Sequence, residues 1–261
     1  MANAVPLGAT DSAQIQPVDL GRPWHWLALG WQDMRRAPGV SLAYGALAVV
    51  TSYALTLGLW VYDMPYLVLP LGAGFMLVGP ILAVGLYETS RRLQQGEKAT
   101  LGAAILAFRR NQLQIVLLGL VLTLALLFWV RIALFIFALF FHQQPPTFDA
   151  LIATVFFSSA SLPFIVIGHA AGAVLAAVVF AISAVSIPML LDRPGANVFT
   201  AITTSIAAVL ANPRAMALWA ALIVVFTTAG IATVYVGLLV TLPLIGHATW
   251  HAYKDLVPTE D

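Results

Sequence analysis

The run AMALWAALIVVFTTAGIATVYVGLLVTLPLIGHATWHAY, residues 215–253, decides the fold. A helix needs about 20 mostly apolar residues to cross a hydrocarbon core about 30 Å thick. This run contains no Asp, Glu, Lys or Arg, and it is too long for one crossing. It fits two crossings joined by a tight turn near Tyr235–Gly237. Working outward, the same test predicts spans near 40–62, 66–87, 113–135, 164–187, 215–233 and 236–253. The expected fold class is all-α: a polytopic membrane protein with six transmembrane helices paired as three hairpins. Composition agrees, with 61% of residues apolar and 9% charged, where a soluble domain carries about 25% charged residues. A chain this poor in charge cannot cover a water-exposed surface of its own size, so part of its solvent must be lipid.

Orientation is read from the basic residues, because cytoplasmic connections retain Lys and Arg. Arg22, Arg35 and Arg36 precede the first span, and Arg91, Arg92, Lys98, Arg109 and Arg110 lie between the second and third. Arg193 and Arg214 lie between the fourth and fifth, and Lys254 follows the sixth. The alternate connections hold Asp63 and Asp149 and no lysine. An even number of crossings satisfies this pattern, with both termini expected in the cytoplasm. Trp60, Tyr62 and Tyr66 mark the outer boundary, and Trp24, Trp26, Trp31, Trp250 and Tyr253 the inner one, at the depth amphipathic rings favour. The first twenty residues have no apolar core of a signal peptide. Residues 1–21 are expected to be a flexible cytoplasmic arm, 22–257 the transmembrane domain, and 258–261 a short cytoplasmic tail.

An internal repeat underlies the spans. Residues 80–93, PILAVGLYETSRRL, lie without gaps on residues 243–256, PLIGHATWHAYKDL. A short amphipathic stretch precedes each odd span. Trp24, Leu27, Ala28, Trp31 and Arg35 recur at helical spacing in the first, with His25, Gln32, Asp33 and Arg36 elsewhere. Leu101, Ile105 and Phe108 do so after Thr100, and Phe199, Ile202, Ile206 and Val209 after Asn197, both good N-cap residues. The stops are Ala37-Pro38, Asn111-Gln112 and Asn212-Pro213. The repeating unit is an interfacial helix followed by a transmembrane hairpin, always starting on the same side. Such repeats are parallel, unlike the inverted repeats common among alternating-access carriers. The longest outer connection, 142–163, is apolar enough to lie on the membrane surface.

At residues 22–45, RPWHWLALGWQDMRRAPGVSLAYG, the sequence resembles a family of proteobacterial integral membrane proteins of unassigned function (domain of unknown function 2189). Residues 246–256, GHATWHAYKDL, look like the same family's second signature, and the resemblance spans Arg22 to Val257. It implies an inner-membrane protein and brings no mechanism with it. Some members are labelled as cytochrome oxidase subunit I-like, which would imply haem ligation.

Few constellations carry chemistry. His247 and His251 are four apart on the last span, so their rings share a face. If the repeat holds in space, Glu88 is the positional counterpart of His251, and Glu88, His247 and His251 would form a two-histidine, one-carboxylate metal site. The plainer reading leaves the histidines at the interface and pairs Glu88 with Arg91 or Arg92 along its helix. His169 enters the fourth span from the outer side and cannot share a metal with the other two. With five histidines spread over both faces, an oxidase core is not expected. Arg131 is the only basic residue well inside an apolar run. It is expected to snorkel to the outer headgroups or to pair with Asp63 or Asp149, with a substrate role as the alternative. Gly168, Gly172 and Ala176 recur every fourth place in the fourth span, a spacing that lets helices approach closely. Prolines 70, 80, 188 and 243 fall in even spans and can kink them.

Soluble-enzyme signatures do not occur, and the absence of cysteine removes disulfides, thiolate ligands and cysteine nucleophiles. The basic residues are dispersed over connections, which argues against a nucleic-acid surface. Three functions remain open. The first is a non-enzymatic scaffold, assembly or regulatory protein with no cofactor, acting in the bilayer with a membrane complex or further copies of itself. The second is a carrier for a small or lipid-like solute. The third is a metal or haem protein using His247 and His251.

Overall fold

The computed structural model describes residues 14–141, 153, 155–158 and 161–258. Among the described residues every regular element is a helix. Three surface helices were expected, and three form: α1 (Arg22–Arg36), α5 (Leu101–Ile105) continued by a 3-10 turn (Leu106–Arg110), and α9 (Val198–Ala211). Their starts follow side-chain chemistry. The Thr100 hydroxyl accepts from the Ala103 N–H, and the Asn197 side chain accepts from the Thr200 N–H, each satisfying an amide that the helix leaves orphaned. Each ends at the predicted break, Ala37, Asn111 or Asn212. A long helix follows directly: α2 (Pro38–Val61), α6 (Gln112–Phe140) and α10 (Pro213–Ala232).

The returning helices are less regular. A 3-10 turn (Pro65–Leu67) leads into α3 (Val68–Leu82), which meets α4 (Val84–Gln94) at a 40° bend. α7 (Ser161–Ser183) breaks before α8 (Ser186–Asp192), and α11 (Leu238–Leu256) runs unbroken through Pro243. The α7–α8 break has a local cause. Pro188 has no N–H to donate, and its ring crowds the carbonyl of Ala184, where the helix opens. The amide this exposes, Val185 N–H, finds the Ser205 hydroxyl of α9 at 3.3 Å. Ser186 donates to the carbonyl of Ala201 on the same helix at 3.0 Å.

Among the described residues four helical runs are long and apolar enough to cross a membrane: Pro38–Val61, Gln112–Phe140, Ser161–Asp192 and Pro213–Ala232. The bent pair α3–α4 makes a fifth. The sixth expected span, α11, has 19 residues but turns polar after Gly246 and does not meet that standard. It packs against α10 all the same, and the turn between them falls where the sequence placed it. There Val234 and Tyr235 hold left-handed backbone, at φ 53° and 68°. Side chains of α2 fasten this turn: Tyr53 donates to the Val234 carbonyl at 2.7 Å, and Thr56 bonds the Tyr235 hydroxyl at 2.8 Å.

α11 is the hub, packing on α1, α2, α4, α8 and α10. Glycine makes two of these approaches possible. A methyl group on Gly30 of α1 would lie 2.7 Å from the Ala248 nitrogen, and one on Gly45 of α2 only 2.3 Å from the Leu239 oxygen. Leu239 is the residue whose helical partner would be position 243, where proline offers no N–H. The approach of Gly45 therefore covers a carbonyl that α11 itself cannot satisfy. Around the hub Trp26, Trp219, Trp250 and Tyr253 are fully buried, with Trp26 and Trp219 edge-on at 5.7 Å.

Each of the three surface helices leaves large apolar side chains exposed. In α1 the stripe Trp24, Ala28, Trp31 and Arg35 is exposed, while Trp26, Gly30, Asp33 and Met34 are buried. Phe199 and Leu210 of α9 stand out, and Ala201, Ser205 and Ala208 pack inward. Leu101 and Ile105 of α5 are exposed over a buried Ala104. In α5 and α9 small residues pack and bulky ones are exposed, whereas α1 buries Trp26, Leu27 and Met34 around Gly30 and exposes His25, Gln32 and Arg36 beside Trp24 and Trp31. Leu47, Val50, Phe128, Phe135, Val174 and Val225 are likewise exposed along the long helices.

The arm expected at 1–21 lies outside the described residues as far as residue 13. Beyond that it is fastened: Gln16 N–H bonds the Leu256 carbonyl at 3.0 Å, and Asn212 holds Val18 N–H at 2.8 Å. The stretch 142–163, expected on the outer side, falls outside the described residues at 142–152, 154, 159 and 160, which takes in Asp149.

Candidate functional site

The polar residues gather at one end of the bundle, around the second half of α11. His247 is fully buried. Its Nε2 lies 2.9 Å from the Ser41 hydroxyl of α2, and its Nδ1 lies 2.8 Å from the Ser90 hydroxyl of α4. Ser41 gives its own proton to the Ala37 carbonyl at 2.9 Å. Both ring nitrogens of His247 are thus engaged by hydroxyls of neighbouring helices. One turn on, His251 Nε2 lies 2.7 Å from the Asp33 carboxylate of α1, both side chains buried.

The rest of the helix end is bonded in the same manner. Trp250 donates to Gln94 of α4 at 2.8 Å. Tyr253 and Lys254 donate to Asp192 of α8 at 2.9 and 3.1 Å. Asp255 accepts twice from Arg22, at 2.9 and 2.6 Å, and once from Trp26 at 2.6 Å. Arg193 donates to the carbonyls of Val257 and Pro258. This helix of the third repeat therefore presents its polar side chains to the other two.

Glu88 sits apart from the histidines. Arg91 grips it with two bonds of 2.7 and 2.8 Å, and Arg92 and Arg110 lie 3.7 and 3.9 Å away. The three residues expected as one ligand set are thus engaged separately: Glu88 by guanidinium groups, His247 by two serines and His251 by Asp33. Among the described residues no group of three His, Asp or Glu side chains is placed to hold a metal ion. His169 is exposed on α7, with Nδ1 2.8 Å from the Ile165 carbonyl of its own helix. Arg131 is exposed on α6 rather than turned into the bundle. Of the small-residue stripe, Gly168 meets open space, while Gly172 lies under the Trp129 ring, with 3.0 Å from an added methyl to the ring edge.

Residues 68–192 match the family model of a predicted integral membrane protein, DUF2189. This is the family the resemblance named, and the match covers α3 to α8, between the two quoted signatures rather than on them. No curated protein and no solved structure matches the chain. The family match and the exposed apolar helices together make this an integral membrane protein.

Sequence reading found the two histidines and Glu88 but not Ser41, Ser90, Asp33, Asp192 or Asp255, their neighbours' partners. The available signal was the polar half of an otherwise apolar helix. Polar side chains that enter a low-dielectric interior need partners, and a helix carrying His247, Thr249, His251, Lys254 and Asp255 must find several.

Proposed function

We propose that the chain crosses the bacterial inner membrane six times, as three hairpins with both termini cytoplasmic, and serves as a non-enzymatic scaffold, assembly or regulatory protein. The observation that carries the functional part is the engagement of the buried polar groups with one another. Asp33, Glu88, Asp192, Asp255, His247 and His251 are each bonded within the protein. Groups so used hold helices together and have no free valence for a reacting substrate. α11 supports the sixth crossing through its packing beside α10: its polar half is shielded by protein, so its polar residues do not bar it from the bilayer. The exposed Trp24–Trp31 and Phe199–Leu210 faces support placing the surface helices in the headgroup layer. Arg131 on the surface lends a solute-carrier role no support.

Two measurements test this. Side-specific reporters in the 91–110 connection should label from the cytoplasm, and labelling from the periplasm overturns the orientation. Protein extracted in native lipid should carry a stoichiometric partner chain or form a defined oligomer. A lone chain that transports a solute, or one with a bound metal or Soret band lost on His247→Ala, overturns the scaffold reading.

A further inference from the structure

Charge pairing leaves a remainder at the polar end of the bundle. The buried and half-buried acids there are taken: Asp33 by His251, Glu88 by Arg91, Asp192 by Lys254 and Asp255 by Arg22. The exposed Glu97 is taken by Arg92 at 3.2 Å. Arg35, Arg36, Lys98, Arg109 and Arg214 are exposed at the same end and make no ion pair among the described residues. Against these cations only Asp19, among the described acids of this end, is exposed without an ion pair. The end is therefore basic on its outside, although its interior is balanced.

The unpaired arginines recur at one place in the repeat. Arg35 and Arg36 close α1 just before α2, Arg109 stands in the 3-10 turn just before α6, and Arg214 lies in the first turn of α10. On one side of each lies a surface helix with large apolar side chains exposed: Trp24 and Trp31, Leu101 and Ile105, Phe199 and Leu210. On the other lies a long helix with an apolar exposed face, as at Leu42 and Leu47 of α2 and Leu113 and Val116 of α6. In α1 the helical spacing of Trp24, Trp31 and Arg35 puts all three on a single exposed face. Three times over, cationic charge stands where exposed hydrocarbon begins.

Such a border fits a surface that offers anionic charge and hydrocarbon together. A phospholipid leaflet does, because its phosphates lie where its acyl chains begin, and helices with basic and bulky apolar residues bind anionic bilayers on this principle. An acidic soluble partner would meet the arginines and leave the tryptophans and leucines in water. We propose that the surface helices of the three repeats together gather anionic phospholipids around the chain, with Arg35, Arg36, Arg109 and Arg214 drawing the lipid phosphates. This rests on the membrane placement proposed above and names the lipid class it takes. A basic residue near the surface attracts anionic headgroups and does little for zwitterionic ones.

The test reconstitutes the purified full chain in phosphatidylcholine bilayers and compares spin-labelled phosphatidylglycerol and phosphatidylcholine for the share immobilised on the protein. The wild type should favour phosphatidylglycerol about threefold over its whole lipid shell, less than the roughly fivefold attraction of one basic residue because only one end of the shell is basic. Combining Arg35→Gln, Arg36→Gln, Arg109→Gln and Arg214→Gln should bring the two lipids close to parity. These side chains are exposed, so thermal unfolding should match the wild type. Should the combined variant fold poorly, Arg35→Gln with Arg36→Gln should still lower the preference part of the way. Arg131→Gln, exposed near the other end of α6, should leave it unchanged. Parity in the wild type, an undiminished preference in either arginine variant, or an equal loss in Arg131→Gln would each overturn the proposal. Parity together with capture of polyglutamate from solution would overturn it in favour of an acidic protein. Immobilisation of neither lipid would sink the membrane placement itself, so the two failures are told apart.

Discussion

Two residues show how tightly this bundle is specified. Gly45 lets α2 lie against the Leu239 carbonyl of α11, and a methyl group there would stand 2.3 Å from that oxygen. Backbone cannot yield as a side-chain tip does, so Gly45→Ala should destabilise the protein by about 1–3 kcal/mol, the usual cost of overpacking. Thermal unfolding in detergent measures it, and an unchanged midpoint would contradict the close approach. Glu88, with a side chain 5% exposed, is the one acid shared by Arg91, Arg92 and Arg110. Glu88→Gln keeps the shape and removes the charge, leaving a buried guanidinium uncompensated. Breaking such a pair costs about 3–5 kcal/mol. A stability equal to wild type would mean that Arg91 reaches water. The i,i+3 pairing of Glu88 with Arg91 was legible from spacing alone. The pairing of His251 with Asp33 was not, because those residues are 218 apart in the chain.

At the scale of elements, breaks matter as much as helices. The opening between α7 and α8 comes from Pro188, but it persists because α9 supplies Ser205 to the freed Val185 amide at 3.3 Å. Ser205→Ala strands that buried N–H, and a loss of about 1–3 kcal/mol follows, with faster exchange of the Val185 amide as its local signature. If exchange there stays slow, some other acceptor serves the break. The surface helices carry a second lesson. Their apolar stripes were plain in the sequence, but periodicity gives the angle between faces and does not say which face meets protein. In α5 and α9 Ala104 and Ala208 decided that, by allowing approach that Ile105 or Leu210 would block.

For the whole molecule, α11 closes a ring of three repeats. Its second half touches α1, α2, α4 and α8 through hydrogen bonds, and the N-terminal segment bonds its last turn through Gln16. Removing residues from Gly246 onward should therefore unravel the polar end of every repeat at once. Such a truncated chain should aggregate on extraction, whereas removal of 259–261 should leave a single sharp species on size-exclusion chromatography. A monodisperse chain ending at Ile245 would show that the repeats cohere without their hub.

Hydrophobic length and capping residues are local properties, and they determined the all-helical architecture and where most of the helices start and stop. These signals act within a turn or two of the chain, so one sequence suffices to read them. The partners of the polar groups were decided only in three dimensions. In a low-dielectric interior a histidine or carboxylate takes whichever complement the packing brings within about 3 Å, and here that complement came from helices far away in sequence.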